Sequence, residues 1–310
     1  MITDDKYIAI SSHNLIDEKN LVEINNQDIL ITQNGIYSAD AGYTGLGLVT
    51  VDVTPPKMFG LTVNQLDGSI IDGALVYGTE NPAPNFTGIT RTRDYMLYYR
   101  FYNREDLTGN LVFDSNLTTI NSRYALYYAF YYCTHLTATG MQNITSITST
   151  SPCTYAFANC FGLTKTDLDN LVEINGDYAC MDMFGWCNNL TDVGLGNLTT
   201  ISGSASCYDM FRYCVGLENV TLTSLTNIQN GGLAWMFTYC LHLANLSFPA
   251  LTSNSFGTRT NQFEYMLSGV TGCTVHFPSN LQSVIGGWTD VINGFGGTNT
   301  TVLFDLPATE

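Results

Sequence analysis

The sequence predicts an α/β repeat: a solenoid of short helix-and-strand coils behind a small N-terminal β module. Three observations predict it. A motif Ala/Met-Phe-x-x-Cys-x-x-Leu recurs five times, with cysteines at 133, 160, 187, 214 and 240, so the spacing is 27, 27, 27 and 26 residues. Each copy runs on into the same apolar pattern, Leu190-x-x-Val193-x-Leu195-x-x-Leu198-x-x-Ile201 and then Leu217-x-x-Val220-x-Leu222-x-x-Leu225-x-x-Ile228. Charged residues are only 12% of the chain while hydrophobic residues are 45%, so Asn, Thr, Ser, Gly and Tyr supply the polar surface.

Each part of the unit has a physical reading. Phe and Cys at i and i+3 share one face of a helix, which predicts a short helix packed inward. Val-x-Leu alternates at period two, which predicts a strand with one buried face. The Leu-x-x-Leu-x-x-Ile tail predicts the turn into the next coil. One unit cannot cover its own apolar side, but stacked units bury a continuous core. Weaker copies flank the five, around Phe101 and Leu107 with Arg104 in the cysteine slot, and around Met266-Leu267 with Val275-x-Phe277. The divisions that follow are 1–55 (N-terminal β or attachment module), 56–94 (β-rich cap or linker), 95–285 (solenoid) and 286–310 (C-terminal cap).

The nine cysteines admit two readings. Cys133, Cys160, Cys187, Cys214 and Cys240 hold one repeat position; Cys153, Cys180 and Cys207 hold another, seven residues earlier; Cys273 stands apart. A metal or redox array would need ligand spacing such as C-x-x-C, which is absent. An odd count also argues against a closed disulfide framework. Two ladders of buried thiols acting as small hydrophobes is the favoured reading.

Chemistry for catalysis is missing from the pattern. No nucleophile elbow, zinc-protease motif or phosphate loop occurs. His13, His135, His242 and His276 form no motif, and Asp167 with Asp169 flanks Leu168 as a strand-borne surface pair. No catalytic residue, cofactor or metal is expected. The net charge of −16 excludes a nucleic-acid binder, which needs a basic stripe. No apolar run is long enough to insert in a membrane, and Met1–Lys6 lacks the basic and apolar segments of an export signal.

Two surfaces are candidates for binding. The outward strand positions are Lys165, Asp167 and Asp169, then Asp192, Gly194 and Gly196, then Asn219, Thr221 and Thr223, then Asn245 and Ser247. They form a small, polar, mildly acidic face. The second is an aromatic stripe of Tyr132, Trp186, Tyr213 and Tyr239, interrupted by Asn159, just before the ladder cysteines. Exposed, such rings suit a sugar or a protein; the favoured reading is packing between adjacent coils.

Before the repeats, Ile29 and Ile31 alternate, Asn34-Gly35 is a turn signal, Val49, Val51 and Val53 alternate, and Pro55-Pro56 breaks the chain. Met58–Val63 and Ile70-Ile71 read as a further β stretch, and Trp288 to Leu306 as a cap at the other end.

The Ala/Met-Phe-x-x-Cys-x-x-Leu unit resembles the BspA-like class of leucine-rich repeats over about residues 95 to 285. That resemblance implies a helix-and-strand, leucine-rich-repeat-like solenoid used for surface binding or adhesion, not catalysis. Asn34, Gly35, Tyr37, Gly42, Tyr43, Gly45, Val49, Val51 and Val53 are similar to a short module of bacteriophage tail and other virion proteins, also found in surface proteins of gut bacteria. It implies a virion structural or decoration protein, a head or tail fibre or appendage. Residues 1–55 would attach to other virion proteins, and the solenoid would meet a host or mucosal surface protein or glycan. A symmetric homo-oligomer is expected of such appendages. The alternative is a BspA-like cell-surface adhesin of a gut bacterium, which predicts an export signal or wall anchor.

Overall fold

The computed structural model describes residues 21–24, 27–32, 35–38, 81–83, 85–86, 90–257 and 262–309. From residue 81 onward the chain winds as a parallel β-solenoid of about seven turns, with three faces to each coil. One face is a five-stranded parallel sheet of Thr119–Ile120, Ser146–Thr148, Glu173–Asn175, Thr200–Ile201 and Asn227–Ile228. Ile120, Ile147, Ile174, Ile201 and Ile228 stand side by side in it and are all buried. The sequence reading placed only a turn there; the isoleucine that ends each apolar pattern is instead the inward residue of a strand.

The second face carries the strands after each cysteine. Asn81–Pro82, Leu107–Asn110 and His135–Ala138 pair in parallel at one end. Lys165 and Asp192 bridge in the middle. Asn219–Thr221, Asn245–Ser247, Thr274–Pro278 and Thr301–Leu306 form a four-stranded parallel sheet at the other end. Val220, Leu246 and Val275 point into the core.

The third face corrects the expected helix. The Phe-x-x-Cys segments are ribbons of overlapping turns. In the first, the N–H groups of Met96, Tyr98 and Arg100 donate three residues back, to Arg93, Tyr95 and Leu97. The N–H groups of Tyr95, Leu97, Tyr99, Phe101 and Asn103 donate instead to Arg123, Ala125, Tyr127, Ala129 and Tyr131 of the next coil. Every fourth residue is left-handed, with φ of 59° at Tyr95, 51° at Tyr99 and 57° at Asn103. An α-helix keeps all its bonds within the segment. The ribbon gives half of them to its neighbour, which offsets the cost, about 1–2 kcal/mol each, of left-handed non-glycine residues. Both geometries place i and i+3 on one side, so the spacing foretold the buried residues while misnaming the element. Helix among the described residues is confined to short pieces such as Gln282–Ile285 and Thr289–Ile292 near the C-terminus.

Phe101, Phe130, Phe157, Phe184, Phe211 and Phe237 stack through the core with centroids 5.3–5.8 Å apart and nearly parallel rings. Each is fully buried, worth about 2–3 kcal/mol of transfer free energy. Close stacking also selects glycine: a Cβ on Gly203 would collide with the backbone of Gly176, and one on Gly176 with that of Ser149. At the C-terminal end Leu281, Ile285, Val291 and Phe295 are buried, with Trp288 edge-on to Phe256 at 4.9 Å.

Of the N-terminal module, Leu21–Ile24, Gln27–Thr32 and Gly35–Ser38 form an antiparallel meander, with Thr32 paired to Gly35. The Val49–Val53 strand, Gly42-Tyr43, Gly45, the Met58–Val63 stretch and Ile70-Ile71 lie outside the described residues.

Candidate functional site

The cysteines resolve into the two buried ladders. All nine are free and buried. The S–H groups of Cys133, Cys160, Cys187, Cys214 and Cys240 donate to the carbonyls of Phe101, Phe130, Phe157, Phe184 and Phe211 of the preceding coil, at 3.0–3.2 Å. The position therefore asks for a small apolar side chain with one donor, which is what a thiol is. Burial pushes the Cys187 thiol up to about 12, so thiolate chemistry is suppressed. Among the described residues no cluster of three or more His, Cys, Asp or Glu could hold a metal ion, and no helix is long and apolar enough to cross a membrane.

The outward strand face is partly as expected. Lys165, Asp192, Asn219 and Asn245 are exposed, and the Asn245 amide donates to Asn219 Oδ1 at 2.7 Å. Asp167 is a correction, because it is buried. Its Oδ2 accepts the Thr139 N–H at 2.9 Å, the Thr139 hydroxyl at 3.2 Å and the Gly140 N–H at 3.4 Å; Oδ1 pairs with Lys165 at 2.9 Å. The residue has φ of 57°, so the chain turns at Asp167 and the strand alternation assumed from sequence fails. Asp167 ties two coils together. Gly194 is likewise buried.

The aromatic stripe is an inter-coil stack. Trp186 and Tyr213 lie 5.6 Å apart, Tyr213 and Tyr239 4.6 Å apart, both pairs nearly parallel. Arg212 lies over Trp186 at 4.7 Å and over Tyr213 at 5.4 Å. Tyr132 is not part of this stack; its ring meets Phe161 edge-on at 5.9 Å.

A larger aromatic surface was missed. The ribbons of the first two coils read Tyr95-x-x-Tyr98-Tyr99-x-x-Tyr102 and Tyr124-x-x-Tyr127-Tyr128-x-x-Tyr131. On the solenoid they form four two-ring columns: Tyr95 on Tyr124 at 5.3 Å, Tyr98 on Tyr127 at 5.3 Å, Tyr99 on Tyr128 at 4.7 Å and Tyr102 on Tyr131 at 5.0 Å. Tyr155 extends the third column at 4.5 Å. Each ring stands on the ring of the neighbouring coil; Tyr98, Tyr99 and Tyr102 are exposed, and the other five rings are half-buried. Burial and the neighbouring phenols hold Tyr99 and Tyr127 above the usual tyrosine range, so the field is neutral and donor-rich. Five of the chain's eleven basic residues, Arg91, Arg93, Arg100, Arg104 and Arg123, fall in these two coils. Arg123 pairs with Asp94 at 2.6 Å and Arg104 with Asp106 at 2.7 Å.

The third tyrosine column ends at a pair of acids. Asp182 and Asp209 follow Tyr155 at the same repeat position and are buried. Each has one carboxylate oxygen without a hydrogen-bond partner. Gly185 makes room: a Cβ there would stand 3.0 Å from Asp182 Oδ1.

A parallel solenoid whose coils are stitched by backbone ribbons, with ring ladders inside and out, defines a repeat scaffold. The BspA type leucine-rich repeat region matches six copies here, over residues 95–235 and 154–284. The chain belongs to that family, whose repeats point to a surface-binding or adhesin-type protein. No curated protein and no solved structure gives a match.

Proposed function

We propose that this chain is a non-enzymatic surface-binding protein that meets its partner with the tyrosine field of its first two coils. The carrying observation is that field: eight tyrosines in four stacked columns, in two coils that also hold five arginines. A contiguous patch of exposed rings, here Tyr98, Tyr99 and Tyr102, marks an interaction site. Tyr and Arg are the side chains that dominate binding energy at interfaces, and stacking fixes the rings in advance, which lowers the entropy lost on binding. The partner class is a host surface protein or glycan that offers acceptors to a row of phenol hydroxyls.

The test is binding to immobilised mucin by surface plasmon resonance. The Tyr99→Ala/Tyr102→Ala variant is expected to bind at least tenfold more weakly while remaining folded, its thermal midpoint lowered only by the loss of two ring stacks. Asn245→Ala, on the strand face, is expected to bind as the parent does. Equal binding by all three proteins would overturn the assignment of the face, and no binding by the parent would overturn a mucosal partner.

The finer reading places the chain on a virion, held through residues 1–55. Its support is the match of Asn34, Gly35 and Tyr37, with the glycine and valine pattern that follows, to a short virion-protein module. Deleting residues 1–55 is then expected to abolish incorporation into particles; normal incorporation refutes it.

A further inference from the structure

Between Tyr155 and Trp235 the third column of the ribbon face carries two acids in place of rings, Asp182 and Asp209. They are 1% and 6% exposed, and the Oδ1 of each has no hydrogen-bond partner. Neither makes an ion pair among the described residues. The cation beside them is Arg212, three residues after Asp209, and it is placed on rings instead. Its guanidinium lies over Trp186 at 4.7 Å and over Tyr213 at 5.4 Å, and its Nε is buried without a partner. Trp186 belongs to the coil of Asp182, so Arg212 already reaches back one coil. On that coil the repeat position of Arg212 is held by Gly185, 27 residues earlier. Gly185 has no side chain, and the place a Cβ would take lies 3.0 Å from Asp182 Oδ1. The Trp186 ring and the bare Asp182 oxygen are thus two berths for one guanidinium, with Gly185 between them in the ribbon.

We propose that these groups form a proton-driven switch: Arg212 rests on Trp186 and Tyr213 while the acid pair is neutral, and crosses Gly185 to the Asp182 carboxylate when the pair ionises, uncovering the Trp186 ring. A buried carboxyl tolerates a bare oxygen far better neutral than charged, and a guanidinium withdrawn from water is held over an indole by the ring quadrupole. Ionisation reverses the preference. The carboxylate needs a countercharge, and a guanidinium supplies one through charge-assisted hydrogen bonds. The other groups that face the pair are not cations. Tyr155, Tyr128 and Tyr131 act on Asp182 from the preceding coils, Tyr208 from the following coil and Cys214 from the core. Thr238 faces Asp209, and Glu264 acts on Tyr208. Arg212 is the one cation acting on both acids. Burial pushes the Asp182 carboxyl up to about 7, with Asp209 adding to the rise and Tyr155 and Arg212 opposing it. The guanidinium gives up two rings to gain the carboxylate, so the exchange stays centred near that pH.

The experiment titrates the full chain from pH 5 to 9 and follows acrylamide quenching of its tryptophan fluorescence. The Trp186 contribution, read as the parent minus Trp186→Phe, is expected to rise at least twofold through one transition near pH 7. Asp182→Asn/Asp209→Asn is expected to keep the low-pH value throughout, and Arg212→Gln the high-pH value throughout, each with the far-UV circular dichroism of the parent. A parent whose Trp186 signal stays flat overturns the proposal. A transition that persists in the double asparagine variant belongs to another group and overturns it as well, and one that persists in Arg212→Gln overturns the part given to the arginine. The asparagine pair has the shape of the acids and decides the matter even if Arg212→Gln does not fold.

Discussion

Asp182→Asn is expected to stabilise the chain more at pH 8.0 than at pH 5.5. Asp182 is 1% exposed. Burial, and then the like charge of Asp209 on the next coil, pushes its carboxyl up to about 7; the Tyr155 hydroxyl and the Arg212 guanidinium pull the other way. Tyr128, Tyr131 and Tyr208 also feel this carboxylate, as does Cys214 in the core. An acid whose folded value lies above its unfolded one, near 3.8, binds its proton more tightly in the folded state. Stability is then lost as pH rises from about 4 to 7, and the full penalty is present above 7. The whole shift corresponds to about 4 kcal/mol, and the part spent between pH 5.5 and 7 to about 2 kcal/mol. Asparagine keeps the shape, tolerates the φ of 47° at this position, and cannot ionise. The difference in unfolding free energy between variant and parent, from urea midpoints at fixed slope, is expected to be about 2 kcal/mol larger at pH 8.0 than at pH 5.5. An equal difference at both values, or a larger one at pH 5.5, would refute the reasoning. Burial shifts Asp209 in the same direction, so Asp182→Asn/Asp209→Asn is expected to flatten the pH profile further.

Cys187→Ala removes a fully buried sulfur and its bond to the Phe157 carbonyl, with an expected cost of about 2 kcal/mol by urea denaturation; a change under 0.5 kcal/mol would show the bond to be incidental. In the native protein no cysteine is expected to react with an alkylating reagent within minutes, and all nine are expected to react in denaturant, read by intact mass. Gly203→Ala drives a Cβ into the backbone of Gly176 and is expected to cost more than about 2 kcal/mol; a neutral result would mean the coils part easily. Asp167→Ala strands the N–H groups of Thr139 and Gly140 in the interior, with an expected loss of about 2–4 kcal/mol, whereas Asp192→Ala, on the exposed row, is expected to change the midpoint little.

The residues that make the core were legible because burial follows side-chain spacing, and spacing survives whatever backbone carries it. Phe184, Cys187, Leu190 and Ile201 each repeat at one period, and each lies at zero exposure. The backbone was not legible. Phe-x-x-Cys is as good a helix stripe as it is a ribbon stripe. What separates them is whether alternate N–H groups bond inward or to the next coil, and that depends on a neighbour 27 residues away. The same distance hid Asp167: Leu168 flanked by two acids reads as a strand until the loop of the preceding coil, Thr139 and Gly140, is seen to need an acceptor.

The tyrosine field was written plainly, as Tyr-x-x-Tyr-Tyr-x-x-Tyr at 95–102 and again at 124–131, yet its first half falls outside the regular register. Those two coils are offset by 29 residues where the next four are offset by 27 or 26, and Arg104 fills the cysteine slot of the first. A period tuned on the regular coils passes over the first of them and so over the pairing of the rings. Departures of this kind carry the functional information in a repeat protein. Positions that obey the period serve stacking, as the phenylalanine and cysteine ladders do. The places where the pattern is broken are the tyrosine coils and the Asp182–Asp209 pair that ends their third column. The mucin-binding variants and the pH profile each probe one of these breaks. If both left the protein unchanged, the breaks would be mere drift in the repeat, and binding would have to be sought on the outward row of Lys165, Asp192, Asn219 and Asn245.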